Sequence, residues 1–374
     1  MRLLSYVHMR NIVGSTGAGR VARQMTEALS RLDDIDLRVL ADPEDHRRVV
    51  GATGGPWNTF RYHFLQNETS QQQARWYLFR SPRAESYWPE AQVIYCTAES
   101  YVPTRTARLV VTMHDAAVFE DGAHKKNLAM WKQRVKWGAL FARLASEADL
   151  FHTVSQYSAD RIAHYFPSIR SRLRVVHNAV TERFFEPITE RGQRYLLSAG
   201  LANKRYVLAP GGLHHRKNAD LILSAWPKIA QANPDVSLVI ANHCDPAYEA
   251  GGSAMPRVLM TGHVGDDELC ALYKAADVMW FPSRYEGFGL PVLEAMASGT
   301  AVLASDSSSL PEVAGGAALL MPPCDASKHV EAMTWLLRDE NARRQLIAKG
   351  TGRVACFRWS NAARQLHSEF LQLI

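Results

Sequence analysis

The chain has 374 residues, more than the roughly 100–200 that one core ordinarily holds, so two domains of similar size are expected. Hydrophobic residues at 47% and charged residues at 21% exclude a disordered chain; no run reaches the ~18 apolar residues of a spanning helix and the apolar start is too short for a signal peptide, so a cytosolic location is expected. The net charge of +6 is uneven: residues 1–180 carry 24 Lys+Arg against 17 Asp+Glu, and the remainder 19 against 20. A basic half attracts an anionic partner or is simply a solvated surface.

Short β-branched runs alternate with helical patterns, the signature of parallel sheets covered by helices. In the first half, 3–7, 37–41, 93–96, 109–113, 150–154 and 173–176 read as buried strands, with helices over 18–32, 125–146 and 156–165. In the second, strands fall at 206–209, 237–241, 258–261, 278–281 and 301–304, with helices over 219–232, 266–275, 291–297 and 328–338. Residues 181–203 lack strong periodicity and include Pro187, Gly192 and Gly200, which places a linker at 186–203. The expected fold class is α/β: two Rossmann-like, doubly wound domains, 1–185 and 204–358, facing across a cleft, with a final helix over 359–374 crossing back to the first. Ligands of such sheets sit beyond the carboxyl ends of the strands.

Chemistry-bearing motifs follow the same order. The loop in "NIVGSTGAGRVARQ" runs G-x-x-G-x-G, not the dinucleotide order G-x-G-x-x-G, and its Gly17 and Gly19 serve equally well as a structural turn. "LVVTMHDAAVFE" ends a strand in His114 and Asp115. Ser155 and Asn178 also follow strands, where N-capping or turn formation explains them as well as any function. The stretch 125–148 interleaves Lys125, Lys126, Lys132, Arg134, Lys136 and Arg143 with Trp131, Trp137 and Phe141. It reads either as a helix lying on anionic lipid or as one whose aromatics face the sheet. Five cysteines, odd in number and widely spaced, argue against disulfides or zinc, and the sequon at Asn67 reads as chance.

"LAPGGLHHRKNADLIL" gives a strand, a glycine turn at Gly212 and a helix start, with Arg216 and Lys217 at its mouth. Two cations there oppose the helix dipole unless an anion meets them. His214 and His215 point apart and do not make a metal pair. "RYEGFGLPVLEAMASG" spaces Glu286 and Glu294 eight residues apart around Gly287, Phe288, Gly289 and Leu290. Proline at 291 starts a helix near 290 or 291, so Glu286 lies in the turn and Glu294 about one helical turn inside. Free amides, a positive dipole end and flanking carboxylates suit a sugar nucleotide; a surface loop capping a packing helix fits the same residues equally well.

The surrounding "FPSRYEGFGLPVLEAMASGTAVLASDSSSLPEVAGGAAL" resembles the E-x7-E region of glycosyltransferase family 4, retaining enzymes of GT-B fold, and the similarity runs through most of the chain, more loosely over 44–105. The resemblance implies that Glu286 meets the donor sugar hydroxyls and Glu294 the ribose. It gives the amides around Phe288, Gly289 and Leu290 to sugar and diphosphate, and Arg216 and Lys217 to the departing diphosphate. Some relatives carry arginine where this chain has Gly212, which shifts diphosphate binding onto those two cations. It sets Gly17, Gly19 and Arg20 beside donor phosphate and acceptor, and His114, Asp115, Ser155 and Asn178 on the acceptor side. The implied reaction moves a sugar, with mannose from GDP-mannose the first choice and UDP-sugars next, onto a glycan or lipid-linked hydroxyl. It needs no cofactor and no metal, and an anionic membrane's inner face is a candidate partner of the basic half. Nucleic acid is not expected, since no binding signature accompanies the charge. The alternatives are a nucleotide-sugar epimerase of the same architecture and a non-enzymatic nucleotide-sugar-binding protein.

Overall fold

The computed structural model describes every residue except 14–16, 54, 122 and 124–127, so Lys125, Lys126 and the first turn of the glycine loop lie outside the described residues. The chain divides into two compact units. One comprises 1–119, 127–178 and 358–374; the other comprises 120–126 and 179–357.

Among the described residues the first unit holds a parallel sheet of strands β1 Arg2–Tyr6, β2 Asp36–Ala41, β3 Arg61–Phe64, β4 Val93–Cys96, β5 Arg108–Met113, β6 Leu150–Thr153 and β7 Leu173–Val175. Their order is β3-β2-β1-β4-β5-β6-β7. The central strands are buried on both faces, as sheets covered by crossover helices must be. The succession reverses direction between β1 and β4, a topological switch point where the flanking connections diverge and leave a crevice. Helix Trp359–Leu371 belongs to this unit; it packs on helix Gly17–Leu29 and buries Leu366 and Phe370.

The second unit repeats the plan with β8 Arg205–Pro210, β9 Val236–Ala241, β10 Val258–Gly262, β11 Val278–Phe281, β12 Ala301–Ser305 and β13 Leu319–Met321, ordered β10-β9-β8-β11-β12-β13. Its switch point lies between β8 and β11. Helix Ala219–Ala232 packs Trp226 and Ile229, both wholly buried, against the sheet.

Two differences from the sequence reading have local causes. Edge strands β3 and β13, of four and three residues and only partly buried, carry weak alternation and went unread, while the equally short edge strand β7 was read. Residues 186–203, expected to be irregular, contain helix Glu190–Ser198, which packs on helix Asp266–Ala275. Its Gly192 looks like a breaker but is a contact requirement: a Cβ there would meet Ala271 Cβ at 2.9 Å and the Asp267 carbonyl at 3.1 Å. The start expected at 125 lies outside the described residues; from Leu128 to Glu147 the basic stretch is helical, and its buried residues are Phe141 and Leu144.

Candidate active site

The site is built at the carboxyl ends of β8 and β11. After β8 the chain turns at Gly211 and Gly212, with φ of +94° and +70°. A Cβ on Gly212 would lie 1.8 Å from the His243 carbonyl oxygen, so only glycine lets the turn press against the loop after β9. The turn delivers Arg216 and Lys217 just ahead of helix Ala219–Ala232. Asn218 holds them there: its backbone is left-handed at φ +61°, and its buried amide donates to the Pro282 and Pro323 carbonyls at 3.0 and 2.7 Å.

After β11 the loop to helix Leu290–Ala297 carries Glu286. The Arg284 N–H donates to the Arg216 carbonyl at 2.9 Å, tying the two loops together. Serines of the loop after β12 fix the rest. The Glu286 N–H donates to Ser308 Oγ at 2.9 Å, and the Ser309 hydroxyl donates to the Glu286 and Phe288 carbonyls at 2.9 and 2.7 Å. Gly289 precedes the helix at φ +104°, and a Cβ on it would be 2.6 Å from Leu310 Cδ2. Glycine and proline thus start the helix at Leu290, as the spacing predicts.

This arrangement brings Lys217 to Glu286. The ammonium donates to Oε1 at 2.6 Å and lies 4.5 Å above the Phe281 ring, with side-chain exposures of 15% and 8% for lysine and glutamate. Burial depresses the lysine below its ordinary value, Glu286 opposes that, and the Arg216 charge adds to the depression. For Glu286 burial acts upward, but Lys217, then Arg216, and hydrogen bonds from Lys217 and Ser283 outweigh it and hold the carboxyl below the usual carboxylate range. The result is an ionised carboxylate beside two cations at a helix start. Such a place can accept hydroxyl donors and neutralise a departing anion.

Glu294 lies one turn into its helix, 4% exposed, and accepts the Tyr273 hydroxyl at 3.0 Å through Oε2. Its charge is felt at Lys217. Gly287 and Phe288 are buried in the same loop, and Leu290 is half-buried.

The remaining candidates stand in the first unit, after β1, β5, β6 and β7. The His114 N–H donates to Glu99 Oε1 at 2.7 Å, and its Nε2 is buried with no protein partner among the described residues. Asp115 accepts the Ala117 N–H at 2.8 Å, and Ser155 caps helix Gln156–Tyr165 by accepting the Ser158 N–H at 3.0 Å. Asn178 is 3% exposed, with Oδ1 unpaired among the described residues. Gly17 opens helix Gly17–Leu29, with Gly19 buried and Arg20 half-buried in its first turn.

Sequence reasoning missed Asn218, Ser308 and Glu99 as positioning residues. Asn218 carries a signal in retrospect, since asparagine takes left-handed backbone more readily than other side-chain-bearing residues, whereas Ser308 carries none. For Glu99 the sequence holds none, since its partner is on a different strand. Among the described residues no three His, Cys, Asp or Glu side chains gather as a metal-holding group.

Comparison with known proteins fits this geometry. The family model described as Glycosyltransferase Family 4 matches residues 15–184, and that described as Glycosyl transferases group 1 matches 199–353. The chain is 30% identical over 280 residues to the O-antigen chain mannosyltransferase B of Escherichia coli, covering 73% of this chain and 72% of that protein. It is 31% identical over 238 residues to the serotype-specific mannosyltransferase WbdA of E. coli, which is 61% of this chain but 29% of that longer protein. Among solved structures, sucrose-phosphate synthase from Thermosynechococcus elongatus superposes with a TM-score of 0.76 at 20% identity, covering 100% of this chain and 99% of that one. With two Rossmann-like units and these matches along its length, the chain belongs to glycosyltransferase family 4 and has the GT-B fold.

Proposed function

We propose that the enzyme moves mannose from GDP-mannose, with retention at the anomeric carbon, onto a hydroxyl of a glycan or lipid-linked acceptor in polysaccharide assembly. The observation that carries this reading is the short, largely covered Lys217–Glu286 pair at the mouth of helix Ala219–Ala232. Glu286 accepts hydrogen bonds from sugar hydroxyls, while Lys217 and Arg216 face the diphosphate. Glu294, held by Tyr273, accepts the ribose hydroxyls. The mannosyltransferase relatives support the choice of sugar.

In the step proposed, the bond from the anomeric carbon to the diphosphate oxygen breaks on the face that the acceptor oxygen approaches. The acceptor's proton passes to a diphosphate oxygen, so GDP leaves with the proton and the new glycosidic bond keeps its configuration. Lys217 and Arg216 stabilise the charge that develops on the leaving oxygen, a task that preorganised cations perform in a dry site at no further reorganisation cost. No resident metal is required, because side-chain cations and helix-start amides neutralise the diphosphate. His114, Asp115, Ser155 and Asn178 serve the acceptor, with Gly17, Gly19 and Arg20 beside them.

A thermal-shift panel of GDP, UDP, ADP and dTDP with EDTA present tests the donor, followed by NMR of the product anomer from GDP-mannose. The expected result is stabilisation by GDP above the others and an α-mannoside. Preference for UDP refutes the donor assignment, a β-product refutes retention, and isomerised sugar from donor alone shows an epimerase instead.

A further inference from the structure

The loop that carries Glu286 is supported from two directions. From one come Ser308 and Ser309, after β12. From the other comes Phe357, the last residue of the second unit. Its ring meets the Phe288 ring edge to face, with centroids 6.1 Å apart and planes at 65°, and both side chains are buried. Aromatic pairs prefer such arrangements over others, so each ring constrains the tilt of its neighbour.

Phe357 is itself held by Arg353. The guanidinium lies 4.9 Å above the Phe357 ring, donates through Nε to the Val313 carbonyl at 3.0 Å and through Nη2 to the Glu312 carbonyl at 2.7 Å. Those carbonyls belong to helix Leu310–Ala314, which directly follows Ser309. Gly315 makes room for this contact, since a Cβ there would lie 2.5 Å from the guanidinium Nε. Gly350 brings helix Glu340–Val354 against the helix that carries Glu294, where a Cβ would meet Met296 Cγ at 3.0 Å. The segment 350–357 therefore touches the Glu294 helix, the helix after the two serines and the Glu286 loop.

Phe357 also sits at a junction of the chain. The chain enters the second unit after Asn178 and leaves it after Phe357, and the Val180 N–H donates to the Phe357 carbonyl at 3.3 Å. One residue thus joins the Glu286 loop, through its ring, to the entering segment, through its carbonyl.

We propose that Phe357 is a positioning residue: acting through Phe288, it sets the backbone of the Glu286 loop for the donor and transmits the donor's presence there to segment 179–181. A ring that fixes its neighbour orders backbone amides that the donor would otherwise have to order as it binds. That the loop receives a donor rests on the reading above; the loop's dependence on Phe357 does not.

Hydrogen exchange of the full chain without nucleotide tests that dependence. Phe357→Leu keeps an apolar side chain and loses the ring. Amides of 285–289 are expected to exchange about fivefold faster in it, the scale of one lost aromatic pair, with helix Ala219–Ala232 unchanged. Phe288→Leu is expected to give the reciprocal rise in 353–357 and decides alone should Phe357→Leu not fold. Unchanged exchange at 285–289 overturns the proposal, and so does a uniform rise across the second unit, which marks general destabilisation. Whichever of GDP, UDP, ADP and dTDP stabilises the wild type most is then added. It is expected to slow exchange at 285–289 and 179–181 together in the wild type, and at 285–289 alone in Phe357→Leu. Protection of 179–181 that survives in the variant overturns the transmission. With GDP-mannose, kcat is expected to fall about tenfold in Phe357→Leu while GDP affinity stays within about threefold, a split that loss of stability does not produce. An unchanged kcat overturns the positioning role. Failure of GDP to bind the wild type refutes the donor assignment, while the nucleotide-free exchange still decides the role of Phe357.

Discussion

Lys217 and Glu286 stand 69 residues apart in sequence and 2.6 Å apart in space, the carboxylate buried and the ammonium largely covered. Removing one partner of a fully buried pair costs about 3–5 kcal/mol; the cost here is smaller, because Lys217 is only partly buried and Arg216 still acts on Glu286, but it exceeds that of replacing both with neutral groups. Lys217→Ala is therefore expected to lower stability more than the double variant Lys217→Met/Glu286→Gln, as measured by denaturant unfolding. Turnover is expected to fall about 10²–10³-fold in both, the scale for losing one preorganised group at a developing anion. Equal stability losses would show that the pair is not coupled.

The hydrogen bond from Tyr273 to Glu294 predicts a graded effect on nucleotide affinity. Glu294→Ala is expected to weaken nucleotide binding by about 1.5–3 kcal/mol, the range for hydrogen bonds to a charged group. Tyr273→Phe removes only the orienting contact and is expected to cost about 0.5–1.5 kcal/mol. Isothermal titration with GDP checks the order; a larger effect from Tyr273→Phe would contradict it.

Two glycines differ in what stands opposite the absent side chain. At Gly212 an added Cβ meets a backbone carbonyl at 1.8 Å, and at Gly289 it meets the end of a leucine side chain at 2.6 Å. A side chain end moves more cheaply than backbone, and both positions share the left-handed penalty of about 1–2 kcal/mol. Gly212→Ala is expected to lower the melting temperature more than Gly289→Ala. The second variant is expected to keep most of its stability and lose activity, because the helix start shifts beside Glu286.

A buried histidine sets an acid limit on the first unit. His152 is wholly buried, contacts the Tyr95 and Thr112 hydroxyls at 3.2 Å and the Val176 carbonyl at 3.1 Å, and burial lowers its pKa to about 4. The unfolded chain takes up this proton near pH 6.5 and the folded chain only near pH 4, so the unfolded state binds more protons in between. Stability is full above about pH 6.5 and declines as pH falls toward 4, by about 3 kcal/mol from this group. His152→Gln is expected to flatten that decline in melting temperature between pH 7 and 5; an unaltered slope would rule the histidine out.

Particular elements show what was legible. Strands β5 and β11 and helices Ala219–Ala232 and Asp266–Ala275 were read from periodicity because each is long or apolar enough to carry a clean local signal. The start of helix Leu290–Ala297 followed from Gly289 and the proline after Leu290, since backbone permission is a property of the residue itself. Helix Glu190–Ser198 was hidden because its glycine answers to a neighbour in another helix.

By itself the sequence determined the alternation of strands and helices, the places where glycine and proline break it and the family motif, all of which depend on residues close along the chain. Only the tertiary structure decided that Lys217 meets Glu286, that Ser308 and Ser309 hold the glutamate loop, and that His8, Glu99 and Trp137 share one cavity. Those relationships arise where strand ends converge at the switch points of the two sheets. Which loops meet there is fixed by strand order and by the packing of helices on the sheet, and neither is written in any local stretch of residues.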